Sequence, residues 1–598
     1  MKKFYKCFFL LLLIMSFKTN AQPYAYDTLD INNIRAVFNC VGINFSDDYH
    51  CFFEAPKGSN NKTISSNILW IGGEDIYGQK YVAGGIGASS GKDFYPGPLS
   101  TDGLAYTDAA IMSDWNHVWK VSKQEITYHQ NHFDSIGYTM PASIASWPAH
   151  GDTTIHQQFY LAPFKDYNNN GIYDPENGDY PLIRGDEALF FIFNDIGGNH
   201  YATGSLPWGI EVHAMAYAFD CPNDSALNNA VFINYTIYNR SVKRFTNVNI
   251  GEYSDISIGN PDNDFTRCDI RRNSFYTYSA TNTDPVFGNF FAAQTTTILC
   301  GPYINSDGVD NSKYDSLYLD PHCHGINPAN CNEAINGFNF GNCIDDDERY
   351  GITGFISFND TGNIACTEPQ NADDYLNYLH LNWKDSKHLR YWDYGYHDSI
   401  ITNPNCNFMY PDQSDPCYWG TNGDSIVHPP YWSEEQAGNI PNDRQGLACS
   451  GTIYFEPGSW TYFDVAFIYG IDYSQPNNIN GWTNVLNQRI DSVITYFVRD
   501  STPCNGSFST INEVQNHSKS NFINVYPNPA MDEIKISIDA LSKSNEWLIF
   551  DHYGKNVKQG KFNNSKDISI NIDDLQAGIY FFLLLQENKK ASAKFIKL

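Results

Sequence analysis

Positively charged residues are scarce in this sequence. It holds 38 lysines and arginines against 67 aspartates and glutamates, which gives a formal net charge of -29. The two ends of the chain are rich in lysine, so nearly all of the acidity lies in residues 22–520. Such a surface repels phosphate groups, which argues against a nucleic acid or an anionic membrane surface as the partner.

Long apolar runs are also missing after the first 21 residues. The chain starts with several lysines and continues with a short apolar segment from Phe8 to Phe17, which is too short to span a bilayer. Small and polar residues then lead to Ala21, followed by Gln22. This order predicts a signal peptide at residues 1–21 that is removed on export. The mature chain is then expected to have no transmembrane segment.

Motifs of the common enzyme classes are absent. The sequence contains no Gly-x-Ser-x-Gly elbow, no His-Glu-x-x-His, no P-loop and no dinucleotide fingerprint. A hydrolase could be assembled from one group of histidines near Asp152, although scattered histidines more often pack or face solvent. These are His117, His129, His132, His150 and His156. Carboxylates are abundant, so a glycosidase pair stays open. We therefore predict no catalytic residues and favour a non-enzymatic protein.

The cysteines suit an exported protein. Loss of Cys7 with the signal peptide leaves 13 of the 14 cysteines, and an oxidising compartment favours disulfides between them. The odd number leaves at least one thiol free. A zinc site is the alternative for one group, although its spacing matches no standard zinc motif. That group is His322, Cys323, His324, Cys331 and Cys343.

Composition and periodicity predict a mainly β protein. Aromatic residues make up 15% of the chain, and tyrosine and phenylalanine favour strands. Buried or alternating strand patterns lie at 67–73, 187–195, 212–219, 231–239 and 460–471. Helical spacing marks one short helix at 484–498. Residues 300–450 have little periodicity and are expected to form long disulfide-stapled loops. The prolines at 92–99 exclude a central strand there.

These patterns divide the chain into four parts. We predict a signal peptide at 1–21 and a large β-rich, sandwich-like body at 22–500. A polar linker at 501–520 follows. Several short strands in residues 521–598 then predict a small antiparallel, immunoglobulin-like sandwich. The sequence leaves open whether the body is one domain or two.

The segment 166–179 has the composition of a calcium loop. Oxygen-bearing side chains alternate before Gly171, as they do in loops that supply six to eight oxygen ligands to calcium. The twelfth position is Asn177 instead of a bidentate glutamate, so Glu176 or Asp179 must close the shell, and we favour Asp179. The alternative is a metal-free turn rich in Asn and Asp. The predicted ligands of a structural calcium are Asp166, Asn168, Asn170, the carbonyl of Ile172, Asp174 and Asp179.

A second, weaker cation candidate lies at residues 251–264. Four acidic residues occur there among Gly and Pro, and a solvated acidic turn explains them equally well. They are Glu252, Asp255, Asp262 and Asp264.

The end of the chain carries four markers in order. These are the start Tyr526-Pro527-Asn528-Pro529, the turn Gly554-Lys555, the strand pattern Leu575-x-x-Gly578-x-Tyr580, and the basic end Lys594 to Leu598. They resemble the type A C-terminal sorting domain of the type IX secretion system of Bacteroidetes. The resemblance implies passage across the periplasm and the outer membrane, with the machinery binding residues 521–598. It also implies release into the medium or anchoring at the cell surface.

The body resembles a group of uncharacterised cargo proteins of the same system. The matching segments are 69–73, 93–99, 147–151 and 178–181. This resemblance implies location and no chemistry. We expect a calcium-stabilised secreted or cell-surface protein with an adhesive or structural role and a glycan or protein ligand. The alternatives are a hydrolase acting on polysaccharides and a carbohydrate-binding protein that uses exposed tyrosine and tryptophan.

Overall fold

Antiparallel strands dominate the computed structural model of this protein. The chain divides into two compact units, Met1–Thr510 and Ile511–Leu598. The structure describes residues 23–46, 52–87, 91–281, 284–311, 336–340, 342, 344–358, 362–396, 403–415, 419–421, 431–509, 523–526, 530–538, 545–551, 556–562, 567–576, 578–586 and 589–597.

The described residues of the first unit contain twenty strands. In chain order they are β1 (Tyr26–Leu29), β2 (Arg35–Asn39), β3 (Ile43–Asn44), β4 (Phe53–Glu54), β5 (Lys62–Asp75), β6 (Lys80–Ala83), β7 (Tyr95–Pro96), β8 (Trp119–Ser122), β9 (Phe164–Lys165), β10 (Tyr180–Pro181), β11 (Glu187–Asn194), β12 (Ile210–Ala218), β13 (Ala230–Asn239), β14 (Phe245–Ile256), β15 (Asp264–Asp269), β16 (Ser274–Ser279), β17 (Ala292–Cys300), β18 (Gly354–Phe358), β19 (Arg444–Phe455) and β20 (Trp460–Ile471). Most of these strands belong to two large sheets.

Each large sheet has nine strands. The first sheet runs β1-β2-β4-β5-β14-β19-β18, with β3 and β6 also paired to β5. The second sheet runs β15-β16-β17-β20-β13-β12-β11-β7, with β8 also paired to β11. Strand β7 contains Pro96 and lies at the end of this order, which confirms that the proline-rich segment is not a central strand. Strands β9 and β10 form a separate small hairpin.

The two large sheets pack face to face. Phe45, beside β3 of the first sheet, meets Phe467 of β20 with ring centroids 4.7 Å apart. Polar contacts cross the same interface. The amide of Asn44 donates to the hydroxyl of Tyr235 at 2.9 Å, and Ser254 and Thr296 share a hydrogen bond of 2.7 Å. The predicted sandwich-like body is therefore confirmed, and its interior contains a polar layer.

Helices cover both outer faces of the sandwich. The described residues contain six α-helices, five of them short, where the sequence predicted one. They are α1 (Ala109–Asp114), α2 (Lys123–His132), α3 (Ala142–Ala145), α4 (Ala372–Leu379), α5 (Glu434–Ala437) and α6 (Trp482–Arg499). Helix α6 matches the predicted helix and buries Trp482, Leu486, Ile490 and Val493 against the second sheet.

Helix α4 lies on the outer face of the first sheet, where glycines let it approach closely. A Cβ atom at Gly72 would lie 2.8 Å from a methyl group of Leu379, and one at Gly251 would lie 2.9 Å from the same side chain. Nearby, Trp70 of β5 packs on Tyr375 of α4 at 4.6 Å. Gly72, one of the two glycines that end the apolar run at 67–73, therefore serves helix packing.

The residues after α6 belong to the body, although the sequence predicted a linker from residue 501. Cys504 forms a disulfide with Cys221 across 283 residues of sequence. Phe508 is 2% exposed, and the buried Arg184 donates to its carbonyl. Residues 501–509 thus pack on the face of the second sheet that α6 covers. The predicted linker at 501–520 therefore overlaps the body by these nine residues.

Other cysteines of the described residues are buried thiols. Among them, Cys300, Cys406 and Cys449 lie in or at the ends of the region where we expected disulfide-stapled loops. Burial raises the pKa of the Cys300 thiol to about 12. The described part of this region is held by packing and hydrogen bonds around these thiols. The zinc candidate at His322 to Cys343 lies outside the described residues.

The second unit is a small sandwich of two antiparallel sheets. Its strands are β21 (Ile523–Tyr526), β22 (Glu533–Ile538), β23 (Asn545–Asp551), β24 (Asn556–Phe562), β25 (Asp567–Asn571), β26 (Gly578–Gln586) and β27 (Lys589–Lys597). One sheet runs β21-β22-β25 and the other β24-β23-β26-β27. Alternate residues such as Ile534, Ile536, Phe582 and Leu584 fill the core between them. This is the immunoglobulin-like end that the sequence predicted.

Candidate functional site

The predicted calcium loop is the connection of a small hairpin. Strand β9 ends at Lys165, directly before Asp166, and β10 begins at Tyr180, directly after Asp179. The two strands pair through Tyr180 with Lys165 and Pro181 with Phe164. This pairing fixes both ends of the oxygen-rich segment.

The carboxylate of Asp174 is the point on which the loop's amides converge. The side-chain amide of Asn168 donates to it at 3.2 and 3.4 Å, that of Asn170 at 2.9 Å, and that of Asn177 at 2.8 Å. Hydrogen bonds from Asn177 first, and then from the other amides, lower the pKa of Asp174. The carboxylate is thus ionised at neutral pH and partly exposed.

Two further aspartates hold the loop's backbone. Asp166 accepts from the N–H groups of Asn170 and Gly171, at 3.2 and 2.7 Å. Asp179 is fully buried and accepts from the N–H groups of Tyr167 and Asp174, at 2.8 and 2.9 Å. Burial raises the pKa of Asp179, and these backbone donors oppose that shift. Asp179, which we predicted to be the last calcium ligand, therefore lies at the base of the loop.

The remaining predicted ligands lie on the exposed side. Glu176, the alternative closing ligand, is exposed, and Ile172 has 55% of its surface exposed. Among the described residues, no three His, Cys, Asp or Glu side chains are grouped closely enough to hold a metal by themselves. A cation in this loop needs the amide oxygens of Asn168 and Asn170 and the carbonyl of Ile172 in addition to carboxylates.

Neighbouring segments anchor the loop to the body. The ring of His150 accepts from the N–H of Tyr173 at 2.8 Å, and the Tyr173 hydroxyl donates to the carbonyl of Ile144 at 2.7 Å. Phe133 packs against Tyr167 and against Gly178, where a Cβ atom would lie 2.9 Å from the ring. Sequence reasoning missed these anchors. The only signal for them was the resemblance carried by the segment 147–151, which contains His150.

The five histidines considered for a hydrolase have separate partners. His129 bonds the Tyr138 hydroxyl at 2.7 Å, His132 bonds the carbonyl of Tyr128 at 2.8 Å, and the ring of His117 packs at a tilt against Trp119 at 4.5 Å. His156 ends a short 3-10 helix, and Asp152 caps the start of that helix. These groups serve local structure, and their hydrogen bonds do not assemble a nucleophile with a base.

The second cation candidate is divided between the core and the surface. Glu252 lies on β14 and is fully buried between the two large sheets, whereas Asp262 is exposed in a 3-10 turn. Burial raises the pKa of Glu252 to about 8, an effect that Asn67 and Tyr235 only partly offset. The prediction of one cation loop from these residues is therefore wrong.

The segment 93–99, which carried part of the resemblance, is internal. Asp93 and Asp195 flank the buried ring of His200, at 3.7 and 3.4 Å. Burial lowers the pKa of His200, but the two carboxylates raise it to about 9. Asp93 also accepts from the N–H of Ala202 at 2.9 Å. These residues lock a connection between strands and have a structural role.

A comparison with family models identifies the second unit. Residues 524–598 match the secretion system C-terminal sorting domain. The match covers the small sandwich described above, including Tyr580, which stacks on Phe595 at 5.6 Å. The protein is therefore a cargo of the type IX secretion system, and it is secreted or displayed on the cell surface. No helix in the described residues is long and apolar enough to cross a membrane.

The other comparisons give little about the body. No curated protein matches the sequence. Two solved structures are distantly similar. One is a polysaccharide lyase, at 8% identity and a TM-score of 0.16, covering 65% of this chain and 34% of that one. The other is a BSP domain of a biofilm-associated protein, at 9% identity and a TM-score of 0.13, covering 63% and 61%. The chain thus spans less than two thirds of each relative, and these scores support no conclusion about activity.

Proposed function

We propose that this protein is a calcium-stabilised adhesive protein of the cell surface or medium. Its sorting domain places it outside the cell. The observation that supports the calcium is that Asn168 and Asn170 meet at Asp174, while Asp166 and Asp179 hold the backbone of the same anchored hairpin loop. Extracellular calcium then stabilises this connection.

The loop offers the oxygen count that calcium prefers. Three carboxylates, two side-chain amides and the carbonyl of Ile172 provide six or more oxygens. The amides of Asn168 and Asn170 now donate to Asp174, and their oxygens accept from the N–H groups of Asn170 and Ile172. A half-turn about their terminal bonds presents oxygen to the cation instead and gives up these backbone hydrogen bonds. The cation replaces these hydrogen bonds as the partner of Asp174.

The surface beside the loop supports the adhesive role. Tyr160, Tyr167 and Ile172 are 53%, 61% and 55% exposed, and Phe159 is 38% exposed. Phe159 and Tyr160 are 4.9 Å apart, and the Tyr160 hydroxyl lies close to Gly171 of the loop. Exposed aromatic side chains are enriched at binding interfaces because they bury much surface for little loss of side-chain entropy.

Thermal unfolding of residues 22–598 tests the calcium. We expect chelator to lower the melting temperature and added calcium to restore it. The double variant Asp166→Ala with Asp174→Ala should melt at one temperature under both conditions. Asp114→Ala, which changes an exposed aspartate at the end of α1, is the matched control and should keep the calcium response. Equal melting of the unchanged protein with and without chelator would overturn the calcium proposal.

Adhesion is tested separately with the aromatic surface. We expect Tyr160→Ser with Tyr167→Ser to reduce attachment of the protein to cells or surfaces that bind it. Tyr77→Ser with Tyr473→Ser removes two exposed tyrosines elsewhere and serves as the control. Attachment that both pairs leave unchanged would show that this surface is not adhesive.

A further inference from the structure

A cavity of about 510 Å³ lies at one end of the first sheet, outside the calcium-type loop. It opens where β14 and β19 pair irregularly, next to the end of α4. Its volume is within the range of about 300–1,000 Å³ that is usual for small-molecule sites. None of its lining residues belongs to the loop 166–179 or to the residues considered above for catalysis.

The walls of the cavity are held by hydrogen bonds between distant segments. Asn249 donates to the carbonyl of Leu379 at 2.8 Å and accepts from Thr452 at 3.0 Å. Asn336, another lining residue, donates to the carbonyls of Ile352 and Ile270, at 2.8 and 3.2 Å. These bonds fix the shape of the cavity before any ligand enters, which lowers the entropy lost on binding.

One part of the lining is aromatic. Phe408 and Trp419 are 5% and 6% exposed, and Tyr350 is 8% exposed. Flat aromatic rings offer a face on which the C–H groups of a sugar ring can pack, and tryptophan and tyrosine add a polar edge. The apolar surface is therefore suited to a ring with an apolar face and polar edges.

The polar part of the lining consists almost entirely of neutral groups. His380 bonds the carbonyl of Asn247 at 3.0 Å, and His388 bonds the side chain of Asn382 at 2.9 Å. Burial lowers the pKa of both histidines, so both rings are neutral at pH 7 and can donate and accept. Asn407 adds an amide, and Glu74 is the one carboxylate among the described lining residues.

The charges select against ionic ligands. The described lining contains no lysine or arginine to pair with a phosphate, sulfate or uronate, and the whole chain has a net charge of -29. Glu74 alone also supplies too little negative charge to bind a cation tightly. A ligand with many hydroxyl groups and no charge matches amides and neutral imidazoles best, because each hydroxyl both donates and accepts.

We propose that this cavity binds a short neutral oligosaccharide. One sugar ring packs on the aromatic side formed by Phe408 and Trp419, and its hydroxyls bond the neutral groups around His380 and Asn247. Asn247 and His380 stand at the accessible edge of the cavity, where they can reach a ligand without being part of the core. The site binds without cleaving, and it is independent of calcium in the hairpin loop.

Calorimetry on residues 22–598 tests this site. The probes are neutral trisaccharides of glucose, mannose, xylose and galactose, with trigalacturonate as the charged comparison. We expect saturable binding of at least one neutral trisaccharide at millimolar concentration or below, weaker binding of trigalacturonate, and the same affinity with calcium or chelator present. Loss of binding only with chelator would place the ligand at the calcium loop and overturn the cavity assignment.

Matched variants locate the binding. Asn247→Ala with His380→Ala should weaken the affinity at least tenfold, which corresponds to about 1.4 kcal/mol. Asn131→Ala with His132→Ala removes the same two residue types from the exposed face of α2 and should leave the affinity unchanged. Circular dichroism and the melting temperature establish that both pairs are folded.

A third variant keeps the test decisive if the first pair does not fold. Thr452→Arg places a long charged side chain at the exposed edge of the cavity, removes the hydrogen bond that Thr452 donates to Asn249, and should block binding. Binding that survives in the edge variants, or no binding of any neutral trisaccharide, would overturn the proposal. Binding of trigalacturonate equal to that of the neutral sugars would also contradict it.

Discussion

The ring nitrogen Nε2 of His150 accepts a hydrogen bond of 2.8 Å from the backbone N–H of Tyr173. This bond joins the segment Trp147 to Gly151 to the middle of the oxygen-rich loop. The other ring nitrogen lies 3.2 Å from the carbonyl of Phe159, so the imidazole bridges two surface connections. His150, which was one of the histidines considered for catalysis, thus positions the calcium-type loop.

Loss of the His150 ring should loosen this loop. We expect His150→Ala to lower the stability of residues 22–598 by about 1 kcal/mol, the usual value of one hydrogen bond with a neutral partner. The calcium-dependent shift in melting temperature should also decrease. His132→Ala removes an exposed histidine on α2 that bonds only a carbonyl of its own helix, and it should leave the calcium response intact. An unchanged response in His150→Ala would contradict the anchoring role.

A buried ionic cluster makes a second prediction. Asp464 of β20 bonds Arg349 at 2.9 Å and Arg184 at 3.4 Å, and all three side chains are nearly inaccessible. Asp464→Asn leaves two buried guanidinium groups without a full countercharge, which should cost about 3–5 kcal/mol. Denaturant unfolding measures the change.

The control for this cluster is an exposed ion pair. Lys80 and Asp373 are 2.7 Å apart, and both side chains are largely exposed. Asp373→Asn should therefore change stability by less than about 1 kcal/mol. Similar effects of the two substitutions would show that burial does not set the strength of the cluster around Asp464.

Glu252 gives the protein a specific pH dependence. Its pKa is raised by burial to about 8 in the folded state, above the ordinary value of 4.5. The folded protein therefore favours the protonated form of Glu252. The contribution of this group to folding stability is fully present below pH 4.5 and is lost as the pH rises through about 8. The folded state should thus become less stable between these values.

Glu252→Gln removes this titration while keeping the shape of the side chain. We expect the free energy of unfolding of the variant to exceed that of the unchanged protein by an amount that grows between pH 5 and pH 8.5 and reaches a few kcal/mol. Denaturant unfolding at a series of pH values provides the test. Parallel curves for the two proteins would mean that Glu252 does not titrate in this range.

The sorting domain predicts where the protein accumulates. Deletion of residues 524–598 should leave the body in the periplasm of a host with a type IX system, because the signal peptide predicted at residues 1–21 would act before the tail is needed. Cell fractionation and immunoblotting distinguish periplasm, surface and medium. The exposed substitution Asp114→Ala should not change the location. Surface or medium location of the deleted form would show that the tail is not required.

Local patterns predicted a large part of this structure. Strands β11, β12, β13 and β20 lie within a few residues of the predicted segments, and helix α6 begins two residues before the predicted one. Alternation in β13 is typical of a sheet with unequal faces, but both faces are mostly buried because α6 and its neighbours cover the second side. The spacing of apolar residues predicts that a strand forms, but it gives no information on which elements cover the two faces of that strand.

The sequence by itself determined the export route, the β class and the oxygen-rich loop, because each depends on residues that are close together in the chain. The tertiary structure decided which polar groups are buried. Arg184, Arg349 and Asp464 meet inside the second sheet although more than a hundred residues separate each of them from the next. It also formed the cavity from Asn247, His380, Phe408 and Thr452. Pairing between distant antiparallel strands and the packing of loops on them bring these side chains together, and no local pattern encodes that juxtaposition.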